Sequence, residues 1–174
     1  MTSWLVKIIF FRLMGWTIEG EFPKLKKIVL AVVPHTRNMD FIVGILTRTI
    51  INEKINYVGK KELFNPLTGW FFRSLGGAPI NRNSNENKVS AIAQIFKEKE
   101  TFRMAIAPEG TRKKVDRWKT GFYYIALKAE VPILLVNFNH PMKKVSFLQL
   151  YFPSGDIKKD FKEMETCFNQ AMKA

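Results

Sequence analysis

The chain has 174 residues, of which 47% are hydrophobic and 13% aromatic, so it is long enough and apolar enough to bury a core. This composition excludes an intrinsically disordered chain, and the single cysteine, Cys167, excludes a disulfide within the sequence. The net charge of +13 favours anionic partners, such as nucleic acid, anionic lipid or a phosphorylated substrate, without selecting among them.

The first apolar segment runs from Trp4 to Trp16 and is interrupted by Lys7 and Arg12. It is shorter than the roughly 20 residues that a membrane-spanning helix needs. No small-residue cleavage site follows it, so a signal peptide is not expected. Two interpretations stay open: a helix that lies in a membrane interface with its aromatic rings among the headgroups, or an N-terminal helix packed on the domain.

The remaining sequence predicts alternating strands and helices. Strands are predicted at 28–33, 55–58, 78–81, 102–107, 133–138 and 145–152. Helices are predicted at 38–52, 66–75, 88–100, 120–130 and 159–172, with loops at 19–27 and 60–64. This alternation is typical of a single α/β domain with a mostly parallel mixed sheet and helices on both faces. The last strand is expected to be antiparallel, because only the short connection 139–144 precedes it.

Three polar loops follow predicted strands, and they contain residues 35–40, 77–82 and 109–112. Because the carboxyl ends of parallel strands meet at one edge of a sheet, these loops are expected to lie together. His35 and Asp40 in the first loop suit acid–base chemistry, since the carboxylate can hold one imidazole nitrogen and leave the other free as a base. The alternative is a helix-capping aspartate beside an ordinary loop histidine.

No serine or cysteine occupies a recognisable nucleophile turn, which favours a hydroxyl of the substrate as the attacking group. Arg82 and Arg112 can grip a phosphate through two hydrogen bonds each. Gly110 allows close approach of the backbone to a ligand, and Thr111 adds a hydroxyl. Glu109 could pair with either arginine or accept a hydrogen bond from a substrate hydroxyl. An ordinary ion pair at a turn is the alternative.

Two other features are predicted to be structural. His140 has no acidic residue nearby in the sequence, and two histidines with one cysteine do not form a metal-ligand cluster, so no metal is expected. The aromatic residues Trp70, Phe71 and Phe72 could line a groove for an acyl chain, but on a helix they are expected to belong to the core.

Four ordered motifs resemble those of the glycerolipid acyltransferases of the 1-acylglycerol-3-phosphate acyltransferase (PlsC-like) type. The motifs are a His-x4-Asp pair at His35 and Asp40, a Gly-rich approach to an arginine at 76–82, Pro-Glu-Gly-Thr-Arg at 108–112, and Val-Pro-Ile at 131–133. Their order and spacing agree with the family over roughly residues 28–138. The apolar residues Ala78, Pro79 and Ile80 depart from the bulkier side chains of many members, and Arg37 is an added charge inside the first motif.

The resemblance implies transfer of a fatty acyl group from acyl-CoA or acyl carrier protein to a lysophospholipid, with His35 as base and Asp40 as its orienting group. It assigns Arg82 and the segment Glu109, Gly110, Thr111 and Arg112 to acceptor binding, and it makes Pro132 a weaker candidate for the donor or acyl pocket. No cofactor or metal is implied beyond the acyl thioester itself.

The resemblance also suggests an organisation and a setting for the chain. Residues 1–20 are expected to be an interfacial helix, and residues 21–174 an acyltransferase domain with its motif core at 28–138 and its last strand and helix at 145–172. We expect a cytoplasmic protein that is peripheral on the inner face of the membrane, with an anionic membrane surface as partner and no nucleic acid. Two alternatives remain: a lipid acceptor without phosphate, such as an amino-acid lipid, and a non-enzymatic protein that binds anionic membrane or nucleic acid.

Overall fold

The computed structural model of the chain describes residues 3–80, 85–111, 115 and 117–173. The strands are β1 (Thr17–Glu19), β2 (Lys27–Val33), β3 (Asn56–Lys60), β4 (Gly77–Ile80), β5 (Phe102–Ile106), β6 (Ile133–Asn139) and β7 (Lys144–Tyr151). The helices are α1 (Ser3–Lys7), α2 (Met39–Ile50), α3 (Gly69–Ser74), α4 (Asn85–Glu98), α5 (Gly121–Ala129) and α6 (Ile157–Lys173). A π-helix at Ile8–Leu13 continues α1, and a 3-10 helix occupies Lys61–Phe64.

The described strands form one seven-stranded sheet in the order β1-β7-β6-β2-β5-β3-β4. Every neighbouring pair is parallel except β6 and β7, which are antiparallel. The predicted mixed, mostly parallel α/β sheet and its antiparallel last strand are therefore confirmed. β2 lies between β5 and β6, so the loop that follows β2 leaves from the middle of the sheet.

The residues of β2 alternate between two hydrophobic cores, as a strand buried on both faces requires. Val29 and Ala31 face a core that includes residues of α4, α5 and α6. Ile28 and Leu30 face the opposite core, which is covered by α1, the π-helix and α2. The predicted helices on both faces of the sheet are thus confirmed.

The N-terminal segment packs on the second core through one side only. Val6, Phe10 and Trp16 are buried there, whereas Trp4 and Leu13 expose 71% and 76% of their surface. The bond from the Met14 N–H to the Ile9 carbonyl has the five-residue spacing of a π-helix. Within the described residues, no helix is both long enough and apolar enough to cross a bilayer.

Two local predictions were wrong. Part of the predicted loop 19–27 belongs to β1, because Thr17–Glu19 pairs with Lys144–Ser146 of β7, a partner that lies far away in the sequence. The aromatic residues of α3 are not all core: Trp70 is 68% exposed and Phe71 is 46% exposed. Only Phe72 turns inward, against the rings of Phe41 and Phe64, since a six-residue helix at the periphery of the sheet has one face to bury.

Candidate active site

The site lies where β2 and β5 end side by side. These strands are parallel neighbours, with Ala31 beside Ile106, so the loops that begin at Pro34 and Ala107 leave the same edge of the sheet. The sequence predicted this meeting of the first and third polar loops, and it is confirmed. The end of β4 is on the same edge but separated from β5 by β3.

His35 and Asp40 meet across the start of α2. Nδ1 of His35 lies 3.3 Å from Oδ2 of Asp40. The same carboxylate oxygen accepts a 2.8 Å hydrogen bond from the backbone N–H of Arg37, which fixes Asp40 at the start of the helix. The Asp40 side chain is fully buried and that of His35 is 29% exposed, so the imidazole is the member of the pair that a substrate can reach.

His140 holds the other oxygen of Asp40. Its Nε2 lies 2.6 Å from Asp40 Oδ1, although the two residues are 100 positions apart in the sequence. The His140 ring is buried and makes an edge-to-face contact with Trp16 at 5.3 Å between ring centroids. His140 has no acidic residue nearby in the sequence, but the fold places it in contact with Asp40.

Glu109 joins the two loops. Its Oε2 accepts a 2.6 Å hydrogen bond from the backbone N–H of His35. Burial raises the pKa of Glu109 above its ordinary value; the His35 N–H opposes that shift, and the negative charge of Asp40 adds to it. The described partner of Glu109 is therefore the backbone of the histidine loop. Arg82 and Arg112 lie outside the described residues, so the expected pairing of Glu109 with either arginine stays a prediction.

Gly110 and Lys119 shape the outer part of this turn. Gly110 has a positive φ of 62°, and a Cβ built there would lie 2.7 Å from Cδ of Lys119. The Lys119 N–H donates to the Pro108 carbonyl at 2.8 Å. The side chain of Lys119 thus lies over the Glu109–Gly110 turn, with its ammonium group beside the site. Thr111 follows on the exposed side of the same turn.

The structure does not bring all of the predicted residues together. Arg82 and Arg112 lie outside the described residues. Pro132 lies at the opposite edge of the sheet, since its carbonyl accepts from the N–H of Val29 near the start of β2. Four residues of strand, on the order of 13 Å, separate Val29 from the end of β2 at Val33. Pro132 is thus distant from His35, and its assignment to the donor or acyl pocket stays a prediction.

The carboxyl end of β6 supplies the residue that the sequence did not reveal. β6 is parallel to β2, with Val33 beside Asn137, so His140 emerges at the same edge as His35. The rule that ligands gather at the carboxyl ends of parallel strands would have found it. Residues 139–144 were predicted only to connect the last two strands, so His140 was not grouped with the three polar loops.

The chemistry available at this edge is proton transfer beside a negative charge. A neutral imidazole whose Nδ1–H faces a buried carboxylate carries its basic lone pair on Nε2, the nitrogen that can accept a proton from a hydroxyl. The carboxylate then stabilises the imidazolium that forms. Among the described residues, no cluster of three histidine, cysteine or acidic side chains has the arrangement of a metal site.

The chain is similar to acyltransferases in each comparison with known proteins. A family model described as Acyltransferase matches residues 16–139. The 1-acyl-sn-glycerol-3-phosphate acyltransferase of Salmonella typhimurium is 30% identical over 125 residues, which are 68% of this chain and 50% of that protein. The enzyme of the same description from Escherichia coli is 28% identical over 126 residues, covering 69% of this chain and 50% of its own length.

One solved structure shares the fold. The crystal structure of the 1-acyl-sn-glycerophosphate (LPA) acyltransferase, PlsC, from Thermotoga maritima matches with a TM-score of 0.67 and 18% identity, over 98% of this chain and 78% of that one. The similarity extends beyond the matched family region, from the N-terminal helix to the C-terminal helix. The chain spans about half the length of the curated relatives that it matches.

Proposed function

The chain belongs to the Acyltransferase family, and from that premise we propose that it transfers a fatty acyl group from a thioester to the hydroxyl of a lysophospholipid that resembles lysophosphatidic acid. The donor would be acyl-CoA or acyl carrier protein. The observation that carries the proposal is the pairing of a reachable His35 imidazole with the fully buried carboxylate of Asp40, 3.3 Å apart.

In the proposed reaction, His35 acts as a general base on the acceptor. Its Nε2 takes the proton of the lipid hydroxyl while the hydroxyl oxygen attacks the carbonyl carbon of the thioester. The tetrahedral intermediate collapses with cleavage of the carbon–sulfur bond, and the departing thiolate receives the proton from the imidazolium. An ester and a free thiol result, and Asp40 stabilises the transient positive charge on the ring.

Glu109 supports this reaction by holding the loop. Its bond to the His35 N–H fixes the backbone that carries the imidazole, and Glu109 is itself buried. Direct contact between Glu109 and an acceptor is not needed for this role. We therefore assign Glu109 to positioning of His35.

An anionic acceptor is favoured by the charges beside the site. Lys119 lies over Gly110, and Arg37 is exposed at the start of α2. Arg82 and Arg112 remain proposed phosphate ligands on the strength of the motif resemblance alone. A phosphate that bound at the Glu109–Gly110 turn would meet at least one described cation, the ammonium of Lys119.

Peripheral contact with a membrane is supported by a set of exposed apolar side chains on neighbouring elements, which we call the docking face. It consists of exposed side chains from the N-terminal segment, α2 and the region of α3: Trp4, Leu5, Phe11, Leu13, Met39, Ile42, Leu67, Trp70 and Phe71. α1 packs against α2, and α2 contacts α3 through Phe41 and Phe72. Exposed basic residues lie among these side chains, namely Lys7, Arg12, Arg37 and Arg73.

This surface has the composition of an interfacial binding site. Aromatic and aliphatic side chains enter the headgroup region, and lysine or arginine residues pair with anionic lipids. Met39 adjoins Asp40 in sequence, so the docking face continues to the mouth of the site. A lysophospholipid could then reach His35 without leaving the membrane surface.

Lipid profiling tests the proposed function. The purified protein is incubated with acyl-CoA of mixed chain lengths and a mixture of lysophosphatidic acid, neutral lysolipids and amino-acid lysolipids, and the products are identified by mass spectrometry. We expect one acyl chain to be added to the lysophosphatidic acid. A parallel reaction with acyl carrier protein identifies the donor. Absence of an acylated product with every donor and acceptor would contradict the proposal.

A further inference from the structure

Asp40 lies between two histidines and contacts both. His140 Nε2 approaches Oδ1 at 2.6 Å, and His35 Nδ1 approaches Oδ2 at 3.3 Å. The first distance is that of a short, charge-assisted hydrogen bond, whereas the second is slightly beyond the usual range. The tighter contact of the carboxylate is thus with the histidine that is not the base.

We propose that His140 is a positioning residue for the reaction, which acts by holding the Asp40 carboxylate in the plane that presents its second oxygen to His35. This inference rests on the proposed function for its kinetic consequence, but its structural part is testable without any substrate. His140 is buried, so it is screened from the acceptor and acts through Asp40.

The two hydrogen bonds at Asp40 fix different parts of the carboxylate. The Arg37 N–H anchors Oδ2 at 2.8 Å, and one such hydrogen bond restrains rotation of the carboxylate about its Cβ–Cγ bond only weakly. The bond from His140 to Oδ1 restrains this rotation further. Without His140, a fully buried carboxylate oxygen loses its partner, and the group gains by turning away from its present geometry to find another.

The surroundings of His140 explain how the ring is held. The Trp16 ring makes an edge-to-face contact with the imidazole, with an angle of 87° between the ring planes. The backbone turn is closed by a hydrogen bond from the Lys143 N–H to the His140 carbonyl and by one from the Met142 N–H to the Asn139 side chain. The ring is therefore fixed by the N-terminal segment and by the β6–β7 turn before it meets Asp40.

The hydrogen-bonding roles follow from the chemistry of a carboxylate. An ionised Asp40 can only accept, so each ring must present an N–H to it: Nε2–H from His140 and Nδ1–H from His35. The Nδ1–H tautomer of His35 is the one that carries the basic lone pair on Nε2. His140 thus favours the reactive tautomer of His35 indirectly, by keeping the carboxylate in place.

The chain suits a direct spectroscopic test, because His35 and His140 are its only histidines. In His140→Phe, which retains a ring for Trp16, every imidazole nitrogen signal belongs to His35. Nitrogen-15 NMR of the labelled side chain then reports the tautomer of His35. We expect mainly the Nδ1–H form in the wild type and a shift toward the Nε2–H form in the variant. An unchanged His35 spectrum would overturn the inference, whether or not an activity is found.

The kinetic test compares His140→Gln with His140→Asn, whose side chains differ by one carbon, and adds His140→Phe. Glutamine places its amide nitrogen the same number of bonds from Cβ as histidine Nε2, whereas the amide of asparagine is one bond too short. We expect His140→Asn and His140→Phe to lower kcat about 10- to 100-fold with little change in KM, and His140→Gln to restore most of the loss. Thermal unfolding of each variant shows that it is folded.

The outcomes separate the two proposals. If wild-type protein forms no acylated lipid, the proposed function fails, and the tautomer measurement still decides the role of His140. If the wild type is active and His140→Phe and His140→Asn retain full kcat, the positioning role is wrong. A loss that appears in KM alone, or that glutamine does not relieve more than asparagine, would also contradict it.

Discussion

The side chain of Glu109 accepts a hydrogen bond from the backbone N–H of His35, at 2.6 Å, across two neighbouring parallel strands. This bond connects the loop after β5 to the loop after β2. It fixes the base through its main chain, while Asp40 fixes it through its ring. The first and third motifs, which are separated along the sequence, therefore meet because β2 and β5 are adjacent in the sheet.

Replacement of Glu109 should separate stability from activity. Burial raises the pKa of Glu109, so the folded state disfavours the charged carboxylate. The contribution of Glu109 to stability therefore falls as the pH rises from the ordinary pKa of a glutamate through the raised pKa. Glu109→Gln retains a carbonyl acceptor for the His35 N–H and removes the free-energy cost of burying a charged carboxylate. We expect the free energy of unfolding of the variant, relative to wild type, to increase between pH 4 and pH 7 in urea titrations.

The same position also tests the loop contact. Glu109→Ala removes the acceptor of the His35 N–H, and we expect kcat to fall about 10- to 100-fold, with a smaller loss in Glu109→Gln. Equal activity of the wild type and the alanine variant would contradict the positioning role. A stability difference between Glu109→Gln and wild type that did not change with pH would contradict the electrostatic account.

Asp160 should control acid stability without a role in the reaction. It is fully buried in the first turn of α6 and accepts hydrogen bonds from Tyr123, Tyr151 and Ser154. Burial opposes ionisation of Asp160, but its hydrogen bonds lower the pKa of this carboxyl group to about 2. Burial, together with the bond to Asp160, raises the pKa of Tyr123 to about 12. The stabilisation from Asp160 is fully present at pH values above the ordinary pKa of an aspartate, and it is lost as the pH falls from about 4 toward 2.

Asp160→Asn is therefore expected to cost about 2–4 kcal/mol of unfolding free energy at pH 7, because an amide cannot accept from all of these donors. The difference from wild type should shrink as pH falls below 4. Urea denaturation followed by tryptophan fluorescence measures both effects. Identical midpoints for the two proteins at pH 7 would show that the cluster does not stabilise the fold.

Lys119 is expected to recognise the charge of the acceptor. Lys119→Met keeps the aliphatic stem over Gly110 and the backbone bond to Pro108, but it removes the ammonium group. We expect KM for lysophosphatidic acid to rise about two- to fivefold, as is typical for an exposed charge pair. KM for a neutral lysolipid should not change.

Lys158→Met serves as the matched control, since Lys158 is an exposed cation of α6. If both lysine variants weaken the phosphate-bearing acceptor equally, the effect comes from net charge alone. An equal loss with neutral and charged acceptors in Lys119→Met would count against phosphate recognition at the Glu109–Gly110 turn.

The docking face predicts how the protein binds vesicles. Deletion of residues 1–16 would also remove the buried Val6, Phe10 and Trp16. Point substitutions of exposed residues are therefore used, because they leave the core intact. Trp70→Ser and Leu13→Ser should each reduce partitioning to phosphatidylglycerol vesicles about tenfold, since a large apolar side chain no longer enters the interface. Sedimentation with vesicles measures the partitioning.

Phe152 offers a control that matches Trp70 in exposure, at 67% against 68%. It follows β7, whose carboxyl end lies at the edge of the sheet opposite His35 because β7 is antiparallel to β6. Phe152→Ser should leave vesicle binding unchanged. If it reduces binding as much as Trp70→Ser, the docking face is wrongly placed.

The sequence predicted the local features of this fold well. The apolar run before His35 gave β2, and helical periodicity gave α2, α4 and α6 within a few residues of their ends. The short connection before residue 145 correctly indicated an antiparallel last strand. These features depend on residues that are close in sequence, so a pattern of hydrophobic spacing is enough to find them.

Features that depend on distant partners were not predicted. β1 has three residues and exists because it pairs with β7 at the edge of the sheet. The contact between His140 and Asp40 spans 100 residues and becomes visible only when β6 lies beside β2. The exposure of Trp70 depends on where the short α3 sits, which its aromatic composition does not reveal.

The most direct test of the central claim is the rate of free-thiol release from acyl-CoA in the presence of lysophosphatidic acid, compared between wild type and His35→Ala. Gln94→Ala, an exposed substitution on α4, is the control for handling. We expect rapid acceptor-dependent release by the wild type and the control, and a loss of at least about a hundredfold in His35→Ala. Equal rates for His35→Ala and wild type would contradict the assignment of His35 as the base.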